Sequence, residues 1–320
     1  MRQIFCVRAA MAALTLAALP AFADVTLRYK TDFKMNPTLP AAMAQQATAG
    51  MMGMPGDTTT QLKGGNGASS YMGMGAIYNF GKQEITLLDP DGKRYSTLPA
   101  SKFADEMMAA MPAIPDQAKA AMAAMKTHVD SKATGKTAII QGIEGEERQM
   151  EITMDAPPMP NVPQGPMMRM VMHIWTAKAS EVMRVPAVRE VAGYHLFANA
   201  TMNPLATMQK TIGQQMPGFS DAFSGMMKEM QAGGTPMFLR MQFEMYMPMI
   251  AAMMKANPGA SPFGADFDTN APFMTMNQEL AEISTASIPD SVFQIPEGYT
   301  AAPAADILKD MIARMQAGKK

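Results

Sequence analysis

The sequence predicts an α+β fold built on an antiparallel β-sheet, and three observations support this prediction. Apolar and polar residues alternate at every second position in several segments, as in strands that have one face on a core or cavity. Turn residues join some of these segments directly, which favours antiparallel pairing. Segments with helical spacing interrupt the strands. Strands followed by helices, twice along the chain, indicate α+β.

The alternation defines four strands. Their apolar positions are Val25, Leu27, Tyr29 and Phe33; Met150, Ile152 and Met154; Met168, Met170, Met172 and Ile174; and Met237, Leu239, Met241, Phe243, Met245 and Met247. Because neighbouring side chains of a strand point to opposite faces, the third segment separates Met170 and Met172 from His173 and Trp175.

Two turn signals predict hairpins. Asp89-Pro90-Asp91-Gly92 separates residues 84–88 from 93–98, and Asp, Pro and Gly each favour tight turns. Gly64-Gly65-Asn66-Gly67 predicts a turn between Thr58–Lys63 and Ala68–Met74.

Helices are predicted at 101–129, 186–200, 217–231 and 304–316. The first begins with Ser101 as a helix cap and contains two segments, the second starting at Asp116 and ending near His128 and Val129. Loops are predicted from Pro, Gly and Ala content at 35–57, 155–166 and 256–272.

Residues 1–23 have the pattern of a secretory signal peptide. Arg2 and Arg8 precede or flank the apolar run Ala9–Pro20, and Ala21-Phe22-Ala23 matches a small-x-small cleavage pattern. We therefore expect cleavage after Ala23 and a periplasmic protein, or a secreted one. The apolar run is shorter than the about 20 residues a membrane span needs, so no transmembrane span is expected. The single cysteine, Cys6, lies in the signal, which leaves the mature chain without a thiolate or disulfide.

Composition excludes some functions. The 27 basic residues nearly balance 28 acidic ones among 320, giving a net charge of −1. Nucleic-acid binding needs a concentrated basic surface, so we expect no nucleic-acid partner. The unusual feature is the presence of 39 methionines.

Several short motifs resemble a known family. They are Leu87-Leu88-Asp89 with Lys93-Arg94-Tyr95-Ser96-Thr97-Leu98, then Lys136-Thr137-Ala138-Ile139 and His173-Ile174-Trp175, and last Ile288-Pro289-Asp290-Ser291-Val292-Phe293 with Pro296-Glu297-Gly298-Tyr299. Together they resemble exported bacterial proteins of the DUF4412 type, a family similar to the lipoprotein carriers LolA and LolB. The resemblance implies one domain over residues 24–300, followed by a C-terminal helix and tail at 301–320. It further implies an antiparallel half-barrel whose concave face is covered by helices, with lipid or acyl groups bound in the apolar space between. It identifies no functional residues.

The thioether of methionine is flexible and polarisable, which leaves four interpretations open. The side chains can replace leucine in an ordinary core, line an adaptable pocket, bind Cu(I) or Ag(I) as soft ligands, or act as a reversible oxidant sink. We expect the pocket, with helices 101–129 and 217–231 above it. Its predicted lining residues are Met168, Met170, Met172, Met237, Leu239, Met241, Phe243 and Met245. The alternative metal site is the loop cluster Met51, Met52 and Met54.

Catalysis is poorly supported by the sequence. The histidines His128, His173 and His195 show no metal-binding spacing, and His128 is expected at a helix end. Glu144, Glu146 and Glu147 are interpreted as a solvated hairpin. We therefore expect a non-enzymatic protein without a cofactor, which binds a lipid, an acyl chain or a lipidated partner. The sequence does not indicate an oligomeric state.

Overall fold

The computed structural model describes residues 24–42, 44, 56–71, 73–110, 126–155, 165–197, 237–256 and 267–316. The strands are β1 (Val25–Met35), β2 (Thr58–Lys63), β3 (Asn66–Tyr71), β4 (Met74–Asn79), β5 (Glu84–Asp89), β6 (Arg94–Pro99), β7 (Lys126–Ile140), β8 (Ile143–Asp155), β9 (Pro166–Ala177), β10 (Phe238–Tyr246), β11 (Met274–Ser284) and β12 (Thr300–Ala301). The α-helices are α1 (Phe103–Ala110), α2 (Ala179–Arg184), α3 (Pro186–Phe197), α4 (Pro248–Ala256) and α5 (Ala304–Gln316). Two 3₁₀ turns lie at Ala100–Lys102 and Asp290–Phe293.

The described strands form a single open sheet in the order β12-β6-β5-β4-β3-β2-β1-β11-β10-β9-β8-β7. Every pairing is antiparallel except that of β12 with β6. Two meanders, β1 to β6 and β7 to β11, meet where β1 pairs with β11. The predicted α+β class and antiparallel sheet are therefore confirmed. At one edge, β7 shows a register shift between Ala133 and Thr137.

Both predicted hairpins are present. The turn at Asp89-Pro90-Asp91-Gly92 joins β5 to β6, as expected. Gly64 and Gly65 turn between β2 and β3 with φ values of 55° and 83°, a region that glycine adopts without steric cost. The strand after this turn begins at Asn66, two residues before its predicted start, because Lys63 pairs with Asn66.

The helix predictions are confirmed at three places and wrong at one. Helices α1, α3 and α5 match predicted segments, with α5 having the bounds 304–316. The prediction of helix up to Val129 is wrong, because β7 already begins at Lys126. There Val129 pairs with Ile152 and His128 with Thr153, so cross-strand pairing overrides a helical spacing of apolar residues. The predicted helix at 217–231 lies outside the described residues, as do the signal peptide and most of the three predicted loops.

Three groups of buried side chains hold the layers together. The first group packs helices α2 and α3 on the sheet, where it contacts β1, β2, the β7–β8 hairpin, β9 and β10. It includes Val25, Leu27, Val188, Met237 and Leu239. The second packs α1 and α5 on β4 to β6 through Ile85, Leu87 and Leu308. The third gathers Leu39, Met254, Phe267, Phe273 and Met274 at the other end of β1 and β11. Helix α1 thus covers β5 and β6 rather than the predicted methionine pocket.

A buried carboxylate ties the C-terminal helix to the β5–β6 hairpin. Asp89 has no exposed surface, and Arg94 donates to its Oδ2 at 2.9 Å and 2.5 Å. Arg314 of α5 donates to Oδ1 at 2.9 Å. A Cβ atom at Gly92 would lie 2.4 Å from the Asp89 carboxylate, so a larger residue there would have to displace the Asp89–Arg94 pair. Burial would raise the pKa of Asp89, but hydrogen bonds from Arg94, Gly92 and Arg314 outweigh it and lower this pKa.

Within the described ranges, none of the helices has the length and apolarity that crossing a membrane requires.

We predict that Asp89→Asn lowers the free energy of unfolding by about 2–4 kcal/mol, because two arginines lose a buried charged acceptor. Because the pKa of Asp89 is lower in the folded state, ionised Asp89 stabilises the fold above its unfolded pKa of about 3.9. This contribution is lost as the pH falls through the folded pKa, so the two proteins should converge in stability at acid pH. Urea unfolding at several pH values measures this.

Asp91→Asn is the matched control, since the Asp91 side chain is 65% exposed although it also meets Arg314. Its effect should stay within about 0.5 kcal/mol. Equal effects of the two substitutions would show that Asp89 does not anchor α5.

Candidate functional site

Methionines line one face of the sheet in rows that cross several strands. Residues paired in register share a face, and the first row runs from β8 to β1 as Met150, Met172, Phe243, Met276 and Phe33. The second row contains Ile152, Met170, Met245, Met274 and Met35. On one side Met154 pairs with Met168. On the other side a third row contains Arg148, Ile174, Met241, Gln278 and Thr31. We call this surface the methionine face.

The structure brings together six of the eight residues that the sequence proposed as pocket lining. Met168, Met170, Met172, Met241, Phe243 and Met245 all lie on the methionine face. Each is partly exposed in the described chain. Their neighbours Met150, Ile152, Met274 and Met276 are buried. The methionine face therefore contains both fully buried side chains and methionines that are still partly exposed among the described residues.

Met237 and Leu239 lie elsewhere, and a β-bulge is the reason. The register of β10 shifts between Phe238 and Arg240, and a bulge places an extra residue on one strand. Met237 and Leu239 have no exposed surface and pack in the first core group, with Trp175 and Ala177. The Leu239 side chain packs directly on Gly145: a Cβ atom added at Gly145 would lie only 2.7 Å from Leu239 Cδ1.

Helix α4 packs against β9 and closes one end of the methionine face. Its Met254 is buried with Leu39, Phe267 and Met274, and Phe243 and Met245 pack on this group. The sequence did not predict α4, which is short and begins at a proline. The predicted metal loop Met51, Met52 and Met54 lies outside the described residues.

A cavity of about 180 Å³ lies at the other end of the face, beneath α3. Its lining residues are Leu27, Tyr29, Thr58, Thr60, Val191, Tyr194, Phe238 and Gln278. Tyr29 donates its hydroxyl hydrogen bond to the Phe238 carbonyl at 2.8 Å, and the two rings lie 5.5 Å apart. Burial raises the pKa of Tyr29 and that of Tyr194, so both phenols stay neutral.

The opposite face of the same strands is polar and charged. Arg240 donates to Glu279 at 2.6 Å and lies 5.4 Å above the Trp175 ring. Trp175 in turn stacks on His173, with 6.2 Å between centroids. The pairing of Gln242 with His173 and of Phe243 with Met172 confirms that His173 faces away from Met172.

Glu147 and His173 form a hydrogen-bonded pair on this polar face. His173 Nδ1 lies 2.5 Å from Glu147 Oε1, Thr134 donates to Oε2 at 2.8 Å, and Lys136 Nζ is 3.6 Å away. Burial would raise the pKa of Glu147, but the hydrogen bonds from Thr134 and His173 and the charge of Lys136 lower it overall. Together with Thr134, the pair connects β7, β8 and β9.

The interpretation of Glu147 as solvated is wrong, since only 3% of it is exposed. The interpretation is confirmed for Glu146, whose side chain is 66% exposed. Sequence spacing held no signal for this difference, because the partners of Glu147 are 13 and 26 residues away. In the part of the chain that the structure describes, no three His, Cys, Asp or Glu side chains converge closely enough to hold a metal ion.

We predict that Glu147→Gln lowers the free energy of unfolding by about 1–3 kcal/mol, because Thr134, Lys136 and His173 lose a charged acceptor. Urea unfolding at neutral pH measures the change. Glu146→Gln serves as the control and should change stability by about 0.5 kcal/mol or less. If both variants unfold alike, the buried pair does not stabilise the sheet.

Comparison with known proteins yields no family: no family model and no curated protein matches this chain. Among solved structures, that of PNGF-II in space group C2 matches with a TM-score of 0.33 and 7% sequence identity. The match covers 92% of this chain and 33% of that chain, so this protein spans about a third of its length. A likeness at this level carries no argument about function.

Proposed function

We propose that this protein binds an apolar ligand on the methionine face, without catalysis, in the envelope of a bacterial cell. The ligand is a lipid, an acyl chain or a lipidated partner protein. The observation that carries this proposal is the alignment of partly exposed thioethers in register across neighbouring strands.

The size of the face suits a long apolar group. Its rows cross five neighbouring strands, β8 to β11 and β1, and strands lie about 4.8 Å apart, so each row extends over roughly 19 Å. Transfer of each methylene group from water to such a surface is worth about 0.8 kcal/mol. A chain that lies along one row would therefore gain several kcal/mol from burial alone.

Methionine is suited to a ligand of variable shape. Its unbranched thioether adopts several rotamers at small cost and fills irregular gaps. Met168, Met170, Met172 and Met241 are only partly covered by the residues that the structure describes. A face built for packing alone would gain more specificity from branched side chains with few rotamers.

The fold and the sequence support the same proposal. An open antiparallel sheet with one apolar face is compatible with the half-barrel of the lipoprotein carriers that the sequence motifs resemble. The predicted signal peptide would deliver the protein to the periplasm, where lipids and lipidated proteins need carriers between membranes. The expected location rests on residues 1–23, and the resemblance to the carriers rests on the motifs in 87–98, 136–139, 173–175 and 288–299.

We predict that Met172→Lys weakens binding of a pyrene-labelled long-chain alcohol at least about tenfold, which corresponds to 1.4 kcal/mol. Met172 lies between Met150 and Phe243 in the first row, where an ammonium group would have to lose its hydration against apolar neighbours. Fluorescence titration of the mature protein measures the affinity.

Gln242→Lys is the matched control, because Gln242 is exposed on the polar face, next to Phe243 in the same strand. This variant should bind the probe as the unsubstituted protein does. If Met172→Lys also binds with unchanged affinity, or if the unsubstituted protein binds no probe, the proposal is wrong.

A second candidate function, binding of Cu(I) or Ag(I), is favoured by one observation. Met170, Met245, Met274 and Met35 follow one another in the second row, on four adjacent strands. Thioethers are soft ligands that select these ions over hard cations. Three of these side chains, from Met35, Met245 and Met274, also pack in one group.

A substitution by leucine separates the two functions, because leucine preserves the apolar volume and removes the sulfur. We predict that Met245→Leu keeps alcohol binding within about threefold, since packing losses in such swaps are small. If the row binds metal, the same variant should lose Ag(I) uptake in a titration against a competing chelator. Met183→Leu, at an 81% exposed position outside the row, is the control. Equal Ag(I) uptake by the three proteins would exclude the row as the metal site.

A further inference from the structure

The cavity beneath α3 continues the methionine face rather than forming a separate site. Tyr29 and Gln278 line it, and Gln278 pairs with both Thr31 and Met241 of the third row. Tyr29 and Thr31 are two positions apart in β1 and so share this face. A ligand that lies along the face would therefore place one of its ends in this cavity.

None of the described residues that line the cavity carries a charged side chain. Its polar groups are the hydroxyls of Tyr29, Tyr194, Thr58 and Thr60 and the amide of Gln278. The Gln278 amide nitrogen donates to the Thr31 hydroxyl at 3.2 Å. Because the two phenols are neutral, these groups can form hydrogen bonds but cannot compensate an ionic charge.

A charged end group would be unfavourable here for this reason. Taking a carboxylate or phosphate out of water without a counter-ion costs several kcal/mol. The nearest cations of β1, Arg28 and Lys30, alternate to the opposite face, and Arg28 is paired with Glu282 at 3.2 Å. An uncharged hydroxyl, ester or amide would instead exchange its bonds to water for bonds to threonine, tyrosine or glutamine.

The cavity is large enough for a compact end group. At about 180 Å³ it is slightly larger than an apolar protein cavity of about 150 Å³ that holds one benzene molecule. A hydroxyl, ester or amide group therefore fits.

We propose that the ligand of this protein is a neutral amphiphile, with its uncharged hydrogen-bonding end in the cavity of Tyr29, Thr60 and Gln278 and its apolar chain on the methionine face. This inference rests on the proposed function and narrows it to alcohols, esters or amides rather than fatty acids or phospholipids.

The test compares a pyrene-labelled long-chain alcohol with the carboxylic acid of equal chain length, titrated into the mature protein at pH 8. The alcohol should bind at least tenfold more tightly. Thr60→Lys should reverse this preference, because it places an ammonium group at the cavity wall. Thr59→Lys is the matched control: Thr59 pairs with Arg28 on the other face of β2, so the alcohol should remain preferred.

The outcomes separate this inference from the proposed function. If the alcohol and the acid bind equally, and Met172→Lys weakens both, the apolar face binds ligands but the inference of a neutral end is wrong. If Thr60→Lys leaves the ratio of affinities unchanged, the cavity does not hold the end group and the inference is also wrong. If neither probe binds, the proposed function fails and this inference fails with it.

Discussion

The structure depends on strict alternation of side chains in strands that are held in register. Because side chains change face at every residue, a slip of one residue between β9 and β10 would turn Met170 and Met172 towards the polar face. The antiparallel ladder from β8 to β1 prevents such a slip over five strands. The methionine face is thus a property of the ladder and not of any one strand.

The bulge in β10 divides this strand between two roles. Met237, which precedes the bulge, and Leu239, which lies in it, are buried in the first core group. After it, Met241, Phe243 and Met245 lie on the methionine face. One extra residue therefore lets the same strand anchor α3 at one end and present thioethers at the other. The charged pairs of the opposite face, such as Arg240 with Glu279, hold the strands together without using the apolar surface.

Local sequence patterns predicted much of the fold and part of the site. Period-two alternation predicted β1, β8, β9 and β10, and turn residues predicted two hairpins. The alternation also predicted that six of the residues proposed as pocket lining share one face of the sheet. Contacts between distant segments could not be predicted: the shift of Leu239 follows from a bulge, and the burial of Glu147 follows from Thr134 and His173. Residues 126–129 at the start of β7 were predicted to be helical, because their apolar spacing is local whereas their pairing with β8 involves residues more than 20 positions away.

The position of β7 has a consequence for the behaviour of the protein in concentrated solution. Among the described strands β7 ends the sheet, and the outer edge of this strand of 15 residues is a template on which another chain can add a strand. Exposed Lys126, Asp130, Lys132 and Lys136 place charges along it, and the irregularity between Ala133 and Thr137 interrupts its hydrogen-bonding edge. Charged side chains and an irregular edge are features that oppose edge-to-edge aggregation.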